Sequence, residues 1–146
     1  PALRRPPPRQ AGRYVVTATP IDGEKGGPYL EDDPVRPLNV YGASKEGGEQ
    51  AVRTANPRHA ILRTSWVIGP VGRNFLTTVL RLAREREEVA VVADQRGCPT
   101  FAADLAAAVQ TVTLRLADGR AGPGTYHVVN AGEASWSELA IAILEG

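Results

Sequence analysis

Hydrophobic and polar positions along the chain fall into short apolar runs separated by longer stretches of helical period. Arg13 to Thr17 (RYVVT) has the β-branched and aromatic content of a short buried strand. Thr17 to Asp33 loses that pattern and gains Pro20, Gly23, Gly26, Gly27 and Pro28, which predicts a loop. Pro34 to Leu38 leads into a helix expected to end near Ala55, ahead of Asn56-Pro57. Val40, Ala43, Gly47, Ala51 and Ala55 recur at helical spacing and predict its buried stripe. Gly42, Gly47 and Gly48 each lower helix propensity by up to about 1 kcal/mol relative to alanine. They also leave room for a helix or ligand to come close.

Ala60 to Thr64 (AILRT) predicts a second strand and Trp66 to Gly72 a turn. Asn74 to Arg86 reads as an amphipathic helix with Phe75, Leu76, Val79, Leu80 and Leu82 inward. Val89 to Val92 is expected as a third strand, followed by the turn-rich loop Asp94 to Thr100 (DQRGCPT). A helix over Ala103 to Ala117 presents Leu105, Val109, Val112 and Leu116 on one side, and Gly119 to Gly124 is loop. Thr125 to Val129 is the fourth strand, and a last helix starts at Ser135, whose spacing to Glu138 matches a capping box. Strands alternating with helices predict βαβ units, an α/β fold and a mostly parallel sheet.

Composition narrows the class. A chain of 146 residues fits one domain, and 42% hydrophobic with 23% charged residues is typical of globular proteins. Residues 1–12 are the exception: rich in Pro and Arg and without apolar periodicity, they predict a disordered tail before a domain over 13–146. The net charge of +1 provides no field for nucleic acid or an anionic membrane, so neither is expected as a partner. No apolar run approaches the roughly 20 residues of a membrane span. Cys98 is the one cysteine and cannot form an internal disulfide, which points to a reducing compartment, the cytoplasm.

The candidate chemistry centres on Tyr41-Gly42-Ala43-Ser44-Lys45. Residues four apart lie on one helix face, one turn above the other. An ammonium beside a phenol favours the phenolate and lowers a tyrosine pKa from about 10. A general acid or base works best when its pKa is near the working pH. The pair therefore reads as a proton-transfer device for reducing a carbonyl or oxidising an alcohol. Arginine occurs fifteen times and lysine only at Lys25 and Lys45, so a compact ammonium at position 45 stands out. His59 and His127 lie on separate strands without ligand spacing, and no metal is expected. Cys98 has no base near it in sequence and reads as a passive thiol, and Glu31, Asp32 and Asp33 as a solvated turn.

Four blocks carry a resemblance: DGEKGGPYLEDDPVRPLNVYGASKEGGEQAV (22–52), ILRTSWVIGPVGRNF (61–75), VVADQRGCPT (91–100) and GTYHVVNAGEASWSELA (124–140). In this order they resemble the later part of an extended short-chain dehydrogenase/reductase, most closely the dTDP-4-dehydrorhamnose reductases. The resemblance implies a partial Rossmann-type parallel sheet with flanking helices, plus part of the smaller substrate-binding region. It implies reduction of a 4-keto dTDP-sugar by NADPH, with NADH as the alternative cofactor, and it allows a homodimer. By resemblance Tyr41 gives a proton to the carbonyl oxygen, Lys45 binds the nicotinamide ribose and tunes Tyr41, and Thr17 hydrogen-bonds the reacting oxygen. Such a donor, aimed at developing negative charge, stabilises the transition state. Val15 would bring strand-end backbone to the nicotinamide half of the cofactor, and Trp66 would pack its indole on the deoxysugar ring. Asn74 and the Gln95 to Thr100 loop are placed along the substrate pocket.

Two departures qualify this expectation. The family continues Asp-Tyr-Val-Phe-Asp-Gly after its threonine, whereas this chain has Ala18-Thr19-Pro20-Ile21-Asp22-Gly23, without the first carboxylate or the aromatics. Nothing reads Gly-x-x-Gly-x-x-Gly between a strand and a helix, the usual pyrophosphate cradle. The chain is therefore expected to be an N-terminally truncated fragment without the usual hold on the cofactor's adenine and phosphates, with loss of activity in this fragment as the alternative. A competing reading is a non-catalytic binding protein of the same fold, similar to the regulatory subunit of methionine adenosyltransferase.

Overall fold

A computed structural model describes residues 12–16, as backbone, and residues 22–146. In chain order the elements are β1 (Gly12–Val16), α1 (Val40–Ala55), β2 (His59–Arg63), β3 (Val67–Ile68), α2 (Phe75–Glu85) and β4 (Arg96–Gly97). They continue with β5 (Thr100–Phe101), α3 (Ala102–Ala117), β6 (Gly124–His127), β7 (Ala134–Ser135) and α4 (Trp136–Glu145). The expected tail over 1–12 lies outside the described residues, apart from Gly12, which opens β1.

β2 is the centre of a three-stranded parallel sheet in the order β1-β2-β6. Val16 pairs with Arg63 at the last rung of one ladder, and Arg63 with His127 at the last rung of the other. The expected α/β fold with a parallel sheet is what forms. Ala60 and Leu62 of β2 are buried against Leu116, Val109 and Val112 of α3. Side chains alternate across a strand, and Arg63, one position on, bonds to Glu49 of α1 instead. The two helices therefore cover opposite faces. α1 runs back from the C-terminal edge of the sheet, so its first turn stands beyond that edge.

The rest of the described chain forms a smaller region. β3 pairs with β5 in parallel, β4 with β7 antiparallel, and α2 lies against α4. Asn74 and Ser135 close complete capping boxes on α2 and α4, each with the residue three positions on. No described helix is long and apolar enough to cross a membrane.

Two expectations are corrected. Val89 to Val92 is not a strand: the segment runs beside α4, with the Ser137 N–H donating to the Val92 carbonyl at 3.1 Å. A β-branched run becomes a strand only where another strand accepts its ladder, and none does so here among the described residues. The stripe proposed for α1 also faces outward, with Val40, Ala43, Gly47, Ala51 and Ala55 all exposed. The inward face carries Gly42 and Glu49, buried, with Lys45, Val52 and Arg53 partly so. On that face the Glu49 carboxylate meets Arg63 of the neighbouring strand.

Candidate active site

Asn39 starts α1: its side-chain oxygen accepts the Gly42 N–H at 2.7 Å, satisfying one of the unpaired donors of the first turn. Gly42 lies against Pro37, where a Cβ would come within 3.1 Å of the proline Cβ. The cap and this close approach fix where the helix begins, and Tyr41 and Lys45 stand on its first turns. The Lys45 ammonium lies over the Tyr41 ring, 4.9 Å from its centroid. The two side chains therefore share one side of the helix, as their spacing demands. Tyr41 is 49% exposed, so a ligand can reach it. Among the described residues no carboxylate lies within ion-pair distance of the Lys45 ammonium.

The same face continues down the helix in steps of four: Tyr41, Lys45, Glu49, Arg53. Glu49 is fully buried and Arg63 is 2% exposed. Arg63 grips the carboxylate with two prongs, Nε to Oε1 at 2.9 Å and Nη2 to Oε2 at 2.8 Å. Arg53 adds a third bond to Oε2 at 2.6 Å and reaches Thr125 of β6 at 3.2 Å. This cluster ties α1 to both β2 and β6.

The loop before α1 closes over the sheet edge. The Glu31 carboxylate accepts the His127 backbone N–H at 2.9 Å, which holds its pKa below the ordinary value. Tyr29 donates to Asp22 at 2.7 Å and Lys25 pairs with Asp33 at 2.5 Å, and each bond lowers the pKa of its carboxyl. The three acidic residues expected as a solvated turn thus include two, Glu31 and Asp33, that fasten the loop.

The other expected site residues are placed as follows. Val15 is in β1, where its backbone pairs with Leu62. Thr17, like Ala18 and Thr19, lies outside the described residues. Trp66 has a left-handed backbone (φ 46°), a sparsely populated conformation for a bulky side chain. Its indole stacks on Trp136 with centroids 3.5 Å apart and planes 11° from parallel. Gly97 also lies close to it, where a Cβ would stand 2.5 Å from Cε2. The Trp136 stack occupies one face of the indole on which a sugar ring was expected. Asn74 is engaged as a cap, accepting from Thr77 and donating to the Gly69 carbonyl at 2.8 Å. In the Gln95 to Thr100 loop the Cys98 carbonyl accepts the Ser65 hydroxyl at 2.7 Å and Thr100 is buried. His59 holds the Asn56 carbonyl through Nδ1 at 2.7 Å.

Glu49, Arg63 and Trp136 are the residues that sequence reading missed. Spacing could have found the first: a carboxylate and a guanidinium continue the Tyr41–Lys45 series, and β2 carries one charge in an apolar run.

The sequence profile described as "RmlD substrate binding domain" matches residues 14–146. The chain belongs to this family. It is similar to a protein named dTDP-4-dehydrorhamnose reductase from Sinorhizobium fredii, 49% identical over 129 residues, which covers 87% of this chain and 44% of that protein. Among solved structures it is similar to a dTDP-4-dehydrorhamnose reductase from Bacillus anthracis in complex with NADP. That match has TM-score 0.82 and 41% identity, covering 91% of this chain and 46% of the other. A dTDP-4-dehydrorhamnose reductase ortholog from Clostridium acetobutylicum matches with TM-score 0.84 and 36% identity, covering 91% and 45%. The chain thus spans about half the length of the relatives it matches. Membership of the RmlD family accords with the Rossmann-type arrangement of sheet and helices described above.

Proposed function

We infer that the protein is an NADPH-dependent reductase that converts the 4-keto group of dTDP-4-dehydro-L-rhamnose to the alcohol of dTDP-L-rhamnose. The observation that carries this is the Lys45 ammonium over the half-exposed Tyr41 ring, on a helix turn standing beyond the C-terminal edge of a parallel sheet. In open α/β sheets ligands bind at that edge. The likeness to proteins named as such reductases, one of them solved with NADP, supports the substrate and the cofactor.

The donor set suits the nicotinamide ribose: a three-proton ammonium and a phenol lie side by side, and among the described residues no carboxylate pairs with the ammonium. Lys45 and Tyr41 would hold that part of NADPH, together with the backbone of Val15. When bound, the dihydronicotinamide supplies a hydride, with its electron pair, to the carbonyl carbon. Tyr41 would give its hydroxyl proton to the carbonyl oxygen, so that the ketone becomes the alcohol. Lys45 keeps a positive charge beside the phenolate that forms. Thr17, by its family position, adds a second donor to the reacting oxygen. The product is an activated deoxysugar for polysaccharide assembly, made in the cytoplasm.

The test is turnover followed by loss of dihydronicotinamide absorbance with the dTDP-sugar present. Tyr41→Phe removes the proton donor and is expected to lower kcat by about 10²–10⁴-fold, the usual range for general acid–base catalysis. Unchanged kcat in that variant rules this mechanism out.

A further inference from the structure

The Glu49–Arg63 pair is poorly explained as a stabiliser. A buried ion pair is often matched or exceeded in stability by apolar residues of the same volume. Here Arg63 also keeps Nη1 buried without a partner among the described residues, which adds an energetic penalty. Its geometry explains more. Glu49 lies two helical turns from Tyr41, about 12 Å along the axis, and one turn from Lys45. Carboxylates four residues from a lysine are its natural helical partners. Lys45 therefore stands between two claims on its ammonium, the Tyr41 ring on one side and Glu49 on the other. Both Glu49 oxygens are taken, Oε1 by Arg63 and Oε2 by Arg63 and Arg53 together.

We propose that Glu49 and Arg63 are positioning residues for the Tyr41–Lys45 pair. The two-pronged bond from the central strand locks the rotation of α1 and, with Arg53, keeps the Glu49 carboxylate away from Lys45, so that the ammonium stays over the tyrosine ring. A bidentate guanidinium fixes orientation where a point charge does not. The catalytic part of this proposal rests on the reductase reading, while the placement of Lys45 can be measured without it.

Protein carrying isotope-labelled lysine gives two ε-methylene signals, because Lys25 and Lys45 are the only lysines. Both lie over tyrosine rings, at 5.6 and 4.9 Å, so both are shifted by ring currents. Lys45→Arg assigns them. Arg63→Lys keeps a cation opposite Glu49 without the fork, and Arg63→Met removes the cation as well. The Lys45 signal is expected to move toward that of a solvated lysine, further in Arg63→Met than in Arg63→Lys, while the Lys25 signal stays. In the reductase assay kcat falls with KM for the sugar nucleotide little changed. A merely structural role lowers thermal stability and leaves the Lys45 signal in place below the melt. A signal that stays put in folded Arg63→Lys overturns the proposal, including the case where Arg63→Met fails to fold. The two readings fail separately. A parent protein without turnover whose Lys45 signal moves in Arg63→Lys loses the reductase reading and keeps the positioning one.

Discussion

Between α1 and β2 the deciding contact is ionic, with one carboxylate held by two guanidinium groups. Between Trp66, α2 and α4 it is aromatic: Trp66 stacks on Trp136, and Phe75 tilts against Trp136 with centroids 4.5 Å apart. Charge contacts are directional and hold one orientation, but each depends wholly on its partner. Aromatic contacts are sustained by area and dispersion, tolerate small shifts, and fail chiefly where something is forced into their space. The helix that bears Tyr41 and Lys45 is held by the directional kind. The contact between α2 and α4 in the smaller region is of the other kind.

The largest expected effect breaks the ionic side. Glu49→Leu leaves Arg63 buried without a counter-charge and should destabilise the protein by about 3–5 kcal/mol. Replacing both partners, Glu49→Leu with Arg63→Met, should recover most of that, because no charge is then left buried. Urea unfolding of the three proteins measures the difference. A double variant no more stable than Glu49→Leu would mean that the pair was not an isolated ionic unit.

On the aromatic side the sensitive point is a glycine. A methyl group at Gly97 would stand 2.5 Å from Cε2 of Trp66 and 2.8 Å from Cζ2 and Nε1. Gly97→Ala should therefore cost about 1–3 kcal/mol, as overpacking does. It should also change the tryptophan fluorescence, since Trp66 and Trp136 are the only two. Unaltered emission and stability would show that the stack slides freely and that the aromatic contact is looser than the ionic one.

The two sides were unequally legible in the sequence. The reach of α1, the Tyr41–Lys45 face and the Ser135–Glu138 box follow from local rules of period and capping, and all three form as read. The rotation of α1 does not follow locally. Its small apolar residues suggest one inward face, but the face that turns inward carries Glu49, whose partner Arg63 is fourteen residues away on a strand. Val89 to Val92 fails for a related reason, since strand propensity becomes a strand only with a neighbour to complete the ladder. Trp66 was visible as a site residue by resemblance. Its contacts with Gly97 and Trp136 follow from no spacing rule.

The smallest effect separates charge from capping within the aromatic region itself. The Ser135 hydroxyl accepts the Glu138 N–H at 3.1 Å, and the Glu138 carboxylate accepts the Ser135 N–H at 2.6 Å. Ser135→Ala removes the first bond and should cost about 1 kcal/mol. It leaves the second, which belongs to the backbone. That second bond, followed by Arg96, holds the Glu138 pKa below its ordinary value of 4.5. A lowered folded-state pKa means the folded form favours the carboxylate, so its contribution is complete above that ordinary value. It fades as pH falls through the lower, folded-state value. The Ser135 side chain is the smallest cause of that lowering, so Ser135→Ala should shift the stability-versus-pH curve downward with little change in its acid limb, and Glu138→Gln should flatten part of that limb. If Ser135→Ala flattens it too, the hydroxyl rather than the backbone amide orients the carboxylate, and α4 is tied down by charge as α1 is.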